Sequence, residues 1–130
     1  MTIIRTRALG QVLMLAAQFI LGMAVNLLGQ PTETQAAAQP VATGILWLHI
    51  LLAAGLVING LMIALDAQIS PDSGKLRWSG LALVVVAVVS GILTTLLDNN
   101  GWSYAMALGF IGSFIVYGWL LLKSQRKSTI

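Results

Sequence analysis

The chain has 130 residues, of which 58% are hydrophobic and only 8% charged. A soluble fold of this size cannot hide so much apolar surface, so the composition predicts an integral membrane protein. With 7 Lys+Arg, 4 Asp+Glu, 1 His and no Cys, it excludes a nucleic-acid binder, a disulfide scaffold, thiol catalysis, thiolate zinc or iron–sulfur sites, and a multi-His metal centre within one chain.

Crossing about 30 Å of hydrocarbon takes roughly 20 helical residues. The first run that qualifies is 8–28. It is about twice the length of a signal-peptide core, so it is expected to remain as a helix although Arg5 and Arg7 precede it. Along it Gln11, Gln18, Gly22, Asn26 and Gly29 recur at spacings of 7, 4, 4 and 3. That spacing holds them on one face, and amides are expected to turn from lipid toward other helices.

Residues 30–43, with Pro31 and Pro40, read as a polar outer loop. The second run, 45–65, carries His49, Asn59 and Gly60 on about one side. Residues 66–75 contain a Pro-Asp-Ser-Gly turn signal and read as a cytoplasmic loop. The third run, 76–97, is rich in Val. Lipid admits only helices and closed barrels, and this run is too long for a barrel strand. It presents Gly80, Ala87, Gly91 and Thr94 at helical spacing. Residues 98–101, Asp-Asn-Asn-Gly, form a tight outer turn. The fourth run is 102–122, where Ala105, Gly109 and Ser113 make a small-residue ladder. Its first use is packing within the chain, and its second is homodimerisation.

The fold expected is all-α: a polytopic membrane protein with a single membrane domain over 1–130, built as an antiparallel four-transmembrane-helix bundle. Arg5 and Arg7 precede the first helix, Lys75 and Arg77 lie between the second and third, and Lys123, Arg126 and Lys127 follow the fourth. These are all 7 Lys+Arg, and they fall on one side. The positive-inside rule therefore places both termini in the cytoplasm, N-in/C-in, in the cell's inner or plasma membrane. Trp47 and Trp102 fall at the outer ends of their helices, and Trp78 and Trp119 at the inner ends, where interfacial anchors belong.

The acids Glu33, Asp66, Asp72 and Asp98 all lie outside the apolar runs. The buried carboxylate usual in cation antiporters is thus missing. His49 is the one titratable group well inside a run, about one turn or roughly 6 Å below its outer end. It can hydrogen-bond a neighbouring helix, or serve haem iron or a quinone carbonyl. With Asn26 and Gln18 it forms a candidate polar pocket at the outer face, where Thr94, Thr95, Ser103 and Tyr104 also fall. Asn59 lies deeper and reads as a helix–helix hydrogen bond.

The segments QFILGMAVNLLGQP and LWLHILLAAGLVINGL, about a quarter of the chain, resemble small four-helix bacterial membrane proteins and the four-helix b-type cytochromes. The resemblance implies haem b held by His residues on facing helices. Only His49 carries over. The fourth helix offers no second His, and Met106 is its nearest soft ligand by depth. A haem would need a His–Met pair or a site shared across a dimer.

Three functional readings follow. The first is a non-catalytic accessory or structural subunit, or a small oligomeric membrane protein. Its partners would be the lipid bilayer and copies of itself or a larger membrane complex. The second is a haem- or quinone-binding electron-transfer protein using His49. The third is a minimal transporter or channel. Enzymatic activity is not expected.

Overall fold

A computed structural model describes residues 3–28, 38–66, 73–97 and 101–126, apart from the side chains of Ile4 and Arg126. It is all-α: α1 is Ile3–Leu28, α2 Gln39–Leu65, α3 Gly74–Leu97 and α4 Gly101–Arg126. All 4 are long and apolar enough to cross a membrane. Gly29, Glu33, most of the expected outer loop, residues 67–72 and 98–100, and the tail from 127 lie outside the described residues.

The ends of α1, α2 and α3 fall at Leu28, Leu65 and Leu97, as the hydropathy predicts. Other boundaries differ. α2 begins at Gln39 rather than 45, so Pro40 sits in the first turn of a helix and not in a loop. Proline is suited to that place, because the first-turn N–H groups have no intrahelical partner anyway. The Ala42 N–H already donates to Ala38 O, and Thr43 Oγ1 donates to Gln39 O at 2.9 Å. α1 takes in Arg5 and Arg7, α3 takes in Lys75 and Arg77, and α4 runs on to Arg126. Hydropathy marks where the apolar stretch stops. A helix can continue beyond it, since its backbone bonds are internal and polar side chains do not break them.

α1 packs on α2 and α4, and α3 packs on α2 and α4, with the α3–α4 contact the most extensive. Along the α1–α2 contact, Arg7 meets Asp66, Gln11 meets Leu56, and Gln18 meets His49. Numbers rise on one helix as they fall on the other, so the pair runs antiparallel. α3 and α4 do the same: Gly80 faces Tyr117, Leu83 faces Gly112, and Gly91 faces Met106.

The glycines explain the close α3–α4 approach. A Cβ at Gly109 would stand 2.9 Å from Leu83 O and 3.0 Å from Ala87 N. Backbone meets backbone there, and dispersion rather than water release holds helices together in lipid. The small-residue ladder of α4 is thus turned inward at Gly109 and at Ser113, which is fully buried. Ala105, near the start of α4, is half-buried. The core joins Leu15, Leu56, Ile63, Val84, Tyr117 and Leu120. Large apolar side chains cover the outside of every helix, among them Leu13, Leu51, Ile92 and Ile115. Trp47, Trp78, Trp102 and Trp119 are all exposed on that outer surface.

Candidate functional site

Two polar layers cross the α1–α2 contact. The first holds His49 and Gln18, two of the three residues grouped from sequence as a candidate pocket. The Gln18 side-chain N–H donates to His49 Nε2 at 3.1 Å. His49 Nδ1 and Gln18 Oε1 are both buried and find no partner among the described residues. The edge of the ring lies over Gly22, where a Cβ would approach His49 Cε1 to 3.3 Å.

The wider outer pocket does not assemble around that pair. Asn26 is exposed. Each four-residue step turns a helix by about 40°, so a residue eight positions from Gln18 has drifted about 80° around α1. Thr94 Oγ1 donates to Ser90 O and Thr95 Oγ1 to Gly91 O, each within its own helix. Tyr104 is 74% exposed and Ser103 half-buried. His49 lies ten residues beyond the start of α2 at Gln39, which is about 15 Å along the axis.

The pair does not fit a haem. An axial ligand must aim a ring nitrogen into open space between helices, whereas His49 Nε2 lies 3.1 Å from Gln18 Nε2 and the opposite edge of the ring lies over Gly22. Met106, the other ligand considered, packs its sulfur on α3, where a Cβ at Gly91 would meet Sδ at 3.1 Å. No cluster of three or more metal-ligating side chains forms among the described residues.

The second layer lies nearer the basic end. Gln11 is fully buried, and its amide N–H donates to Leu56 O at 3.0 Å. Asn59 Nδ2 donates to Gln11 Oε1 at 2.7 Å and to Arg7 O at 3.2 Å. Asn59 is therefore the interhelical hydrogen bond its position suggested. Gly60 makes room for α4: a Cβ there would lie 2.9 Å from Tyr117 Oη and 3.4 Å from Gln11 Nε2. Tyr117 is fully buried, and its hydroxyl has no partner among the described residues.

Beyond this layer two arginines converge on the end of α2. Arg7 Nη1 pairs with Asp66 Oδ2 at 3.4 Å and reaches Met62 O at 3.5 Å. Arg77, only 7% exposed, donates from Nη1 to Ile63 O and to Asp66 O. The last carbonyls of a helix lack intrahelical partners and carry partial negative charge, so guanidinium groups suit them.

Arg7, Asp66, Arg77 and Tyr117 are missed by a reading that assigns basic residues to orientation and acids to loops. Gln11 is visible in the α1 stripe. Tyr117 had a fainter signal, since Gly60 and Gly80 are the small residues that admit its ring.

The chain matches no family model, no curated protein and no solved structure.

Proposed function

We propose that this chain is a non-catalytic integral membrane protein, an accessory or structural subunit that works by packing against other membrane chains or copies of itself. One observation carries the reading: the polar side chains on the inner faces are mainly bonded to neighbouring helices. Gln11 bonds Leu56, Asn59 bonds Gln11 and Arg7, and Arg77 bonds the end of α2. What remains outside is a nearly continuous apolar surface. Such a molecule offers membrane-embedded contact area and little chemistry.

In this reading the helices form an antiparallel transmembrane bundle in the inner or plasma membrane, with both termini cytoplasmic. The 7-to-0 distribution of Lys and Arg supports that orientation, and so do tryptophans on the outer surface toward both ends.

The test is extraction of native membranes into lipid nanodiscs without detergent, followed by mass measurement of the purified particles. A defined complex, homomeric or with a second membrane chain, is the expected result. A monodisperse single chain at native expression level would overturn the subunit reading.

A further inference from the structure

We propose that the outward-facing groove between α3 and α4, at the basic end of the bundle, holds the phosphate headgroup of an anionic phospholipid through Lys75 and Lys123, with Trp119 beside them. The inference needs the chain to sit in a membrane, as proposed above, but is independent of the subunit reading.

The groove follows from the seam between the two helices. A Cβ at Gly112 would meet Leu83 Cδ1 at 3.1 Å. This contact lies on the outside of the bundle. Leu81 and Arg77, on another side of α3, face Gly60 and Ile63 of α2. Phe110 and Tyr117, on another side of α4, face Phe19 of α1 and Gly60 of α2. From Leu83 toward the basic end, α3 carries Ser79 and then Lys75, at steps of four residues. From Gly112, α4 carries Trp119 and then Lys123, at steps of seven and four. Such steps keep to one side of a helix. Each step of four also turns about 40°, which carries the α3 row away from α4 and widens the groove as it nears the lysines.

Depth matches as well. Gly80 faces Tyr117, where a Cβ would stand 3.0 Å from ring atom Cζ. Lys75 lies five residues from Gly80, and Lys123 six residues from Tyr117, or about 7.5 Å and about 9 Å along the axes. The two lysines therefore stand at one level on neighbouring helices. Trp119, 58% exposed, lies about one turn nearer the middle of the bundle. Ser79 is small and exposed, and its hydroxyl donates to Leu76 O at 2.8 Å, so it leaves room in the groove. Val86 and Ile115, three residues on from Leu83 and Gly112, are exposed beside the seam and suit an acyl chain.

Charge decides the occupant. Arg7 pairs with Asp66, and Arg77 lies against the carbonyls at the end of α2. Lys75 is exposed and Lys123 half-buried, and among the described residues neither meets a carboxylate. Lysine lays its methylenes along apolar surface and carries its ammonium out to the interface. Tryptophan settles at the same depth with its N–H free to donate. Basic pockets between transmembrane helices bind anionic headgroups in this way. A zwitterionic lipid brings a cation of its own, which two adjacent lysines repel.

The test is native mass spectrometry of the full chain in mild detergent, titrated with phosphatidylglycerol or with phosphatidylcholine of the same acyl chains. Wild type should bind the first phosphatidylglycerol about 25-fold more tightly, at roughly fivefold per lysine near a headgroup. Lys75→Gln and Lys123→Gln should each cut the preference to about fivefold, and the two together should abolish it. Replacing both by Arg should keep it. Arg5→Gln, which removes a charge from α1 at the same end, should leave it unchanged. Inorganic phosphate in hundredfold molar excess should not displace the lipid. Equal binding of the two lipids by wild type overturns the proposal. So does an equal loss in Arg5→Gln and in the lysine variants, because that is diffuse charge and not a site. Displacement by inorganic phosphate overturns the assignment to a lipid. Both lysines lie on the surface, and gel filtration checks that the variants stay folded. The wild-type comparison and the Arg replacements decide the matter if either Gln variant does not. Lipid preference is read per chain, so its failure leaves the subunit reading to be judged by particle mass.

Discussion

Asn59 shows how a single amide acts in an apolar setting. Its Nδ2 serves both Gln11 Oε1 and Arg7 O, so it ties α2 to a side chain and to the backbone of α1. Interhelical bonds of this kind contribute about 0.6–2 kcal/mol in membrane proteins. A double-mutant cycle of Gln11→Ala and Asn59→Ala, read by reversible unfolding in mixed micelles, should give a coupling of that order. A coupling indistinguishable from zero would show that the two amides act independently. The glycines divide in the same residue-level way. Gly109→Ala presses a methyl into the α3 backbone and should cost about 1–3 kcal/mol, as overpacking does. Gly44, with nothing within 4 Å of a Cβ, should accept Ala with a gain of about 0.5–1 kcal/mol. Thermal midpoints of the two variants in the same detergent decide between them, and equal shifts would contradict the packing described.

At the scale of elements, the α1–α2 pair is locked at three levels by Arg7–Asp66, Gln11–Asn59 and Gln18–His49. These bonds specify register, because sliding one helix by a turn breaks all three together. One alanine inserted after Leu15 turns the rest of α1 by about 100°. It should abolish the Gln18–His49 contact and keep the Gln11–Asn59 one. Histidine ring nitrogen shifts would report the first, and asparagine amide shifts the second. The end of α2 is a second such device. Arg77 reaches back from α3 to Ile63 O and Asp66 O while almost wholly buried. Arg77→Gln should cost about 1.5–3 kcal/mol, the range for hydrogen bonds to a charged group. Exposed Lys75→Gln should stay within about 0.5 kcal/mol. Denaturation curves of both variants make the comparison.

At the scale of the molecule, the distribution of charge bears on orientation. The sequence has no Cys, so single cysteines can be introduced on a clean background. Ser124→Cys should be labelled by an impermeant maleimide only from the cytoplasmic side, and Glu33→Cys only from outside. The reverse pattern would invert the bundle and place His49 near the cytoplasm. The apolar exterior suits a bilayer or micelle rather than water. The chain's buried core is small, and residues such as Leu13 and Ile115 need an apolar solvent of their own.

The amino-acid sequence by itself determined that the chain has four membrane-length helices, and where three of them end. Apolar run length is a property of consecutive residues and needs no partner to be read. It also grouped His49 with Asn26 and Gln18 in one candidate cluster, of which the structure joins Gln18 and His49. Tertiary structure alone decided the rest. Whether Asn26 joins that pair depends on helix phase accumulated over eight residues. Whether Arg77 is an orientation signal or a buried cap on α2 depends on which way α3 faces. Tyr117 reaches Gln11 through space that Gly60 leaves open, and the spacing of neither residue shows that they meet. Contacts between helices depend on rotation and tilt as well as depth, and only the packed bundle sets those.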